Sequence, residues 1–511
     1  MCNKILIIDF GSQVTKLIAR RIREIGFFSE IVNFDTDFAK IKSYNAKAII
    51  FSGGPASVNN ENAPDITEEI FSLKLPVLGI CYGQQLICNK LGGEVIYGAS
   101  HEYGKAELEI VTEHKLFENF TNKQIWMSHG DVVNKLPDGF KVIAKTNSAP
   151  YAVIADDKRK IYAMQFHPEV VHSIDGIRIL ENFLVNISGL KPDWNMHDYK
   201  EQAILDIKKK VLNNRVVCGV SGGVDSTVTA ALISKAIGKQ LTCIFVDHGL
   251  LRKNEAEEVC DMFQNRLDVN FIFIDAKDKF LNALRGISDP EEKRKIIGRK
   301  FIEIFDEESA KITDAKFLAQ GTLYPDVIES SHPGGGASQT IKSHHNVGGL
   351  PDDMKLKLLE PLRELFKDEV RKLGLELNIP EDLVYRHPFP GPGLAIRIPG
   401  EITKEKIQIL QNADDIYIQA IKDAGLYNDI WQAFAVLLPV KTVGVMGDQR
   451  TYEYVLALRA VTASDGMTAD YYYFSHEFLS KVSTKIVNEV RGVNRVVYDV
   501  TSKPPSTIEW E

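Results

Sequence analysis

The chain has 511 residues, 44% of them hydrophobic and 25% charged, with a formal net charge of −8. That length exceeds one core and predicts roughly two to four domains, and the acidic balance argues against broad electrostatic adhesion to nucleic acid or anionic membranes. No apolar run reaches the length of a membrane span, and six cysteines without a Cys-x-x-Cys pair argue against a disulfide framework or zinc site, as expected of a reducing cytoplasm.

From Lys4 to about Leu190, short apolar runs at 4–9, 48–52, 76–80 and 161–166 alternate with helical-period stretches at 12–25 and 173–187. This alternation predicts an open parallel sheet flanked by helices. The run at 48–52 ends in Ser52-Gly53-Gly54-Pro55, a turn whose backbone N–H groups no side chain obstructs. The run at 76–80 ends in Gly79-Ile80-Cys81-Tyr82-Gly83, which puts a thiol on a sharp strand-to-helix turn, with positive potential from the helix start behind it. In Gln165-Phe166-His167-Pro168-Glu169, Pro168 holds His167 extended, and residues two apart then face one side. Glu169 is thereby expected to hold the imidazole tautomer while His167 takes the Cys81 proton. The N–H groups near Gly53 and Gly54, with that of Tyr82, are candidates to bind an oxyanion.

Together with Asp9-Phe10-Gly11-Ser12-Gln13 and Trp126-Met127-Ser128-His129-Gly130-Asp131, these motifs occur in the order found in class I, triad-type glutamine amidotransferases, which the first 190 or so residues resemble. The resemblance implies that Cys81 attacks the side-chain amide of glutamine, that His167 is base and then acid, and that Glu169 orients it. Gln85, Ser128 and His129 would hold the amino-acid end of glutamine.

Ile187–Asn195 interrupts the periodicity with Gly, Pro and Asn and reads as a linker. A second α/β set follows over 196–386: a helix at 198–212 and strands near 215–220, 241–246, 271–275 and 316–320. Between Val220 and Thr227 lies Ser221-Gly222-Gly223-Val224-Asp225-Ser226, a polar glycine turn opening a helix, where N–H groups and the hydroxyls of Ser221 and Ser226 converge on a point suited to phosphate. It lacks the Gly-Lys-Ser/Thr of a Walker A loop, and it resembles the pyrophosphate-gripping loop of the ATP pyrophosphatase family. Phe245–Arg252, including Val246, follows the next strand and is expected to line the adenosine pocket. Asp225 is a candidate ligand for Mg²⁺ bound with ATP, its alternative being helix N-terminal stabilisation. Pro333-Gly334-Gly335-Gly336 reads as a mobile loop.

Beyond His387-Pro388-Phe389-Pro390-Gly391-Pro392-Gly393 the pattern changes to a smaller α+β domain over 387–511, with helices at 402–423 and 476–490 and strands near 441–446, 453–462 and 494–500. The fold class is therefore two successive open parallel-sheet α/β domains followed by a smaller α+β domain. Taken whole, the sequence resembles the glutamine-hydrolysing GMP synthetase family, carried at this end by Arg386–Arg397, Lys441–Tyr452 and the terminal Thr501–Glu511. The resemblance implies a homodimer through the C-terminal domain and xanthosine monophosphate (XMP) as the acceptor, with Arg294, Asp448, Lys503 and Glu509 as candidate contacts. It implies that ATP adenylates O2 of XMP and that ammonia then displaces AMP. Another glutamine-fed adenylating enzyme, such as a NAD or asparagine synthetase, is disfavoured by the leading triad and the Lys503–Glu511 tail. A tRNA-modifying enzyme is disfavoured by the acidic balance, and a nucleotide-sensing scaffold by the presence of Cys81, His167 and Glu169.

Overall fold

The structure is a computed structural model that describes residues 2–312, 314–330, 356–446, 448–463 and 468–511. The glycine stretch at 333–336 lies outside the described residues. The chain divides into two compact units, Met1–Tyr199 and Lys200–Glu511.

The first unit is built on ten strands: β1 (Lys4–Asp9), β2 (Phe28–Asn33), β3 (Ala48–Phe51), β4 (Val77–Ile80), β5 (Glu94–Glu107), β6 (Glu109–Ile110), β7 (Gln124–Lys135), β8 (Lys141–Lys145), β9 (Val153–Asp156) and β10 (Ile161–Met164). Eight form one sheet in the order β2-β1-β3-β4-β10-β9-β8-β6, while β5 and β7 make a separate antiparallel ribbon. Strands β2 to β10 in that order pair parallel; β9, β8 and β6 extend the sheet antiparallel. The central strands read as continuous apolar runs because helices cover both faces, and Ile5, Leu6, Ile7 and Ile8 are all fully buried. The stretch expected to be a linker packs on this unit instead. The Asp193 carboxylate accepts the Asn3 N–H at 2.8 Å, and the Trp194 ring lies 4.8 Å from that of Phe28 with the Arg23 guanidinium over it. An indole of that size is stabilised more by apolar cover than by solvent, which is why Gly and Pro nearby did not leave the segment free.

In the second unit, β11 (Arg215–Val220), β12 (Leu241–Asp247), β13 (Asn270–Asp275), β14 (Ala315–Ala319) and β15 (Lys357–Leu359) form an all-parallel sheet in the order β13-β12-β11-β14-β15. The winding reverses at β11, the switch point beside which such sheets open a crevice at their carboxyl ends. A second sheet pairs the long hairpin β16 (Gln432–Met446) and β17 (Gln449–Thr462) with β18 (Asp470–Tyr471) and β19 (Val493–Tyr498). Apolar side chains from both sheets share one core: Ile244, Val246 and Phe280 pack in the same cluster as Leu394, Leu410, Leu437 and Leu456. The core thus runs unbroken past residues 386 and 387.

Candidate active sites

Sheet order explains why Cys81 and His167 meet. β4 and β10 are parallel neighbours with Ile80 opposite Met164, so the residues that follow each strand leave the sheet side by side. The Cys81 N–H extends the ladder to Met164 O at 2.7 Å, and Cys81 then turns at φ +52°, ψ −105° to cap the Tyr82–Lys90 helix. A residue with a Cβ held there costs about 1–3 kcal/mol. The turn is possible because a Cβ on Gly79 would fall 2.7 Å from the Gly83 backbone, and one on Gly83 would fall 2.6 Å from Phe51 O. Cys81 is 5% exposed, its Sγ 3.5 Å from the Ser128 carbonyl oxygen and 3.8 Å from Gln165 Nε2.

His167 Nδ1 lies 2.7 Å from Glu169 Oε1, and the Glu169 side chain is wholly buried. The backbone around the pair is pinned: His167 N–H donates to Trp126 O at 3.1 Å, Ser173 Oγ donates to His167 O at 2.6 Å, and Arg21 Nε donates to Glu169 O at 3.1 Å. Burial is the largest influence on the imidazole and favours its neutral form. The Glu169 charge, with hydrogen bonds from the imidazolium to Cys81 and Glu169, outweighs it and pushes the His167 pKa up to about 11. A Cβ on Gly53 would approach His167 Cε1 to 2.9 Å and Cys81 Cβ to 3.6 Å, so the Ser-Gly-Gly-Pro turn borders the thiol and imidazole directly. A Cβ on Gly54 would meet Phe10 O at 2.6 Å. The N–H groups of Cys81 and Gly83 are taken by Met164 O and Ser52 O. Tyr82, between them, stands at the first position of the helix, where an N–H has no intrahelical acceptor.

Of the other residues expected near glutamine, Gln85 is buried and donates to Asp131 O at 3.1 Å. Ser128 is exposed on β7. His129, its neighbour, is turned the other way: its ring is buried, with Nε2 3.1 Å from Glu102 Oε2 and Nδ1 3.1 Å from Asp131 O. Alternation along a strand sends consecutive side chains to opposite faces.

In the second unit, the 221–223 loop leaves the carboxyl end of β11 and enters the Val224–Ile237 helix at Gly223. Gly222 adopts φ +77°, and a Cβ there would fall 2.6 Å from Val259 Cγ2. Ser226 Oγ donates to Gly223 O at 3.0 Å and lies 3.3 Å from both Ser221 Oγ and Ser221 N, so the two hydroxyls flank one spot at the loop. Asp225, in the first helical turn, has one carboxylate oxygen 3.4 Å from Lys367 Nζ, while Oδ1 is buried without a hydrogen-bond partner among the described residues. Lys367 escaped the sequence reading because it lies 142 positions away, at the start of another helix. Val246 packs into the core. Two residues on, burial lowers the His248 pKa to about 4, while its Nδ1 accepts the Leu250 N–H at 3.1 Å.

The candidate XMP residues do not all converge within this unit, Asp448 standing apart. Glu509 is engaged by Arg397, whose Nε and Nη2 reach its two oxygens at 3.1 and 2.8 Å, and by Gln432 Nε2 at 2.6 Å. Arg294 donates to Glu511 O, and beside it the buried Lys293 reaches Glu511 Oε2 at 2.6 Å. The Lys503 backbone pairs with Ala469 at 2.8 and 3.1 Å. Asp448 is exposed in the β16–β17 turn at φ +64°. Gln432, which binds Glu509, pairs with Val461 at the opposite end of that hairpin, 14 positions from Met446, or roughly 45 Å of strand at about 3.3 Å per residue. Two buried arginines clamp the terminal segment and were missed. Arg459 donates to Ile508 O, Thr501 O, Thr507 O, Ser506 Oγ and the Asp499 carboxylate, and Arg397 lies between the Phe389 and Phe434 rings. The available signal was an arginine inside an apolar strand, Leu456-Ala457-Leu458-Arg459-Ala460-Val461.

Residues 6–187 match the family model for class I glutamine amidotransferases, 198–296 that for NAD synthase, and 419–510 that for the GMP synthase C-terminal domain. Curated proteins called GMP synthase (glutamine-hydrolyzing) align end to end. Those of Bartonella henselae and Bartonella bacilliformis are 60% and 61% identical over 100% of this chain and 99% of their own length. That of Phenylobacterium zucineum is 60% identical over 99% of this chain and 98% of its own. With these three family models matched in order along one chain and relatives 60–61% identical from end to end, the chain belongs to the glutamine-hydrolysing GMP synthase family.

Proposed function

We propose that this chain makes GMP from XMP, ATP and glutamine by the residues described above. The observation that carries the reading is the pairing, at adjacent strand ends, of a strained Cys81 with a His167 held by a buried carboxylate 2.7 Å away. Cys81 Sγ attacks the amide carbon of glutamine, and the negative charge on its oxygen is met by the N–H groups of Gly54 and Tyr82. His167 delivers its proton to the departing ammonia, and the thioester is then hydrolysed to glutamate by water deprotonated at the same imidazole. Gln85 and Ser128 face the amino-acid end of the substrate. His129 supports that wall through Glu102.

In the second unit, O2 of XMP attacks the α-phosphorus of ATP and pyrophosphate leaves, held by the 221–226 loop and the Lys367 charge. Ammonia then attacks C2 and AMP departs with the former O2. The unpartnered Asp225 Oδ1 fits a hard cation, so Asp225 is the residue that would hold Mg²⁺, which neutralises phosphate charge when bound. Arg294, Lys503 and the clamped tail around Glu509 border the XMP site in this reading, and Asp448 lies outside it within one chain. We place the enzyme in the cytoplasm; no helix among the described residues is long and apolar enough to cross a membrane. A homodimer through the C-terminal region is supported by Val443, Val445 and Tyr452, all exposed on the outer half of the β16–β17 hairpin.

The test is Cys81→Ala, assayed for GMP with glutamine and separately with ammonium. The glutamine-dependent rate should vanish and the ammonia-dependent rate should persist. Loss of both, or survival of the first, would refute the division of labour.

A further inference from the structure

The two donors assigned to the oxyanion sit on different loops, and both loops are tied to Ser52, whose side chain has no part in the chemistry above. Ser52 is fully buried. Its hydroxyl donates to the Gly53 carbonyl at 2.8 Å and accepts the Phe10 N–H at 3.0 Å, while its own carbonyl accepts the Gly83 N–H at 3.1 Å. A trans peptide carries its C=O and N–H on opposite edges of one plane, so fixing the Gly53 carbonyl on Ser52 Oγ also fixes where the Gly54 N–H points. That plane needs a restraint, because the residue on each side of the bond is glycine and offers little steric resistance to rotation. A competing acceptor, Asp9 Oδ1, lies farther from the hydroxyl at 3.4 Å and is already approached by the Gly11 N–H and Thr15 Oγ1 at 3.0 and 2.7 Å. The carbonyl bond to Gly83 pins the helix start at the residue next to Tyr82. A single buried residue therefore references both donors to each other.

We propose that Ser52 is a positioning residue of the glutaminase, its hydroxyl latching the Gly53–Gly54 peptide with the Gly54 N–H turned to the oxyanion. This rests on the reading of Cys81 as nucleophile. Without the latch the plane can turn, which replaces a donor by a carbonyl oxygen where negative charge develops. Alkylation of Cys81 by iodoacetamide is a displacement at a saturated carbon, forms no oxyanion, and so reports the thiol and the fold without the hole.

The experiment uses the full chain with Ser52→Ala and Ser52→Thr. Three quantities are followed: kcat and KM for glutamine in GMP formation, the ammonia-dependent rate, and the Cys81 alkylation rate. Ser52→Ala should lower the glutamine-dependent kcat by about 10²-fold, as loss of an oxyanion donor does, without a matching rise in KM. Alkylation and ammonia-dependent synthesis should hold at the wild-type rate, and Ser52→Thr, which keeps the hydroxyl, should recover most of the loss. An unchanged kcat in Ser52→Ala, alkylation falling in step with kcat, or a Thr variant as slow as Ala would overturn the proposal. Glutamine-dependent activity in Cys81→Ala would instead bring down the underlying reading, whatever Ser52 does.

Discussion

Replacing Glu169 by Gln keeps the side-chain volume and an oxygen for the His167 N–H but removes the charge that holds the imidazole protonated. In the native site the His167 pKa is raised from 6.5 to about 11 against an opposing burial effect. At about 1.4 kcal/mol per unit, that corresponds to roughly 6 kcal/mol of preference for the imidazolium, as an order of magnitude. Glu169 supplies the leading favourable influence, so in Glu169→Gln burial should dominate and His167 should titrate several units lower. The sign of the linkage follows from a raised pKa. The stabilising contribution is complete below the unfolded value of 6.5 and is lost as pH rises through about 11. The wild-type first unit should therefore lose stability across that window, and the variant should lack this slope. Imidazole ¹⁵N shifts of histidine-labelled protein, with His167→Gln to assign the resonance, read the titration directly. Glutamine-dependent kcat should fall by about 10²- to 10⁴-fold, the scale seen when a triad carboxylate becomes an amide. A His167 that still titrated above pH 10 in Glu169→Gln would refute the electrostatic account, and an undiminished kcat would refute the role of the pair in catalysis.

Two further outcomes are expected. Gly222→Ala combines a positive φ with a Cβ 2.6 Å from Val259 Cγ2, so ATP-dependent adenylation, measured as pyrophosphate release, should drop by at least about tenfold while Cys81 alkylation is unaffected; normal pyrophosphate release would remove the loop from the ATP site. In solution, light scattering should give twice the mass of the chain, and Val445→Lys on the exposed hairpin face should shift it toward the monomer; a wild-type monomer would exclude dimerisation.

The sequence revealed the parts of each site that are local in the chain and concealed those set by distant pairing. Cys81, His167 and Glu169 were legible because a strand end, a glycine turn and an extended His-Pro-Glu each carry their own geometry, and a parallel sheet brings consecutive strand ends to one edge. The antiparallel extension β9-β8-β6 and the β5–β7 ribbon were not anticipated: Glu94–Glu107 contains polar residues and two glycines and resembles a loop until Gln124–Lys135 lies beside it. Lys367 and Arg459 were hidden for a different reason. A lone basic residue is usually a solvated charge, and only the folded neighbourhood shows that Lys367 faces the Asp225 carboxylate and that Arg459 is fully buried against five acceptors of the terminal segment. Burial reverses the meaning of such a charge: leaving a buried guanidinium unpaired costs several kcal/mol, so Arg459 and Arg397 hold Ile508 and Glu509 in place instead of serving as free ligands. Glu509, a candidate XMP contact by resemblance, is found engaged by Arg397 and Gln432. A carboxylate so occupied fixes the backbone around it, so under the proposed function the tail would meet XMP first through backbone groups whose position the arginines enforce.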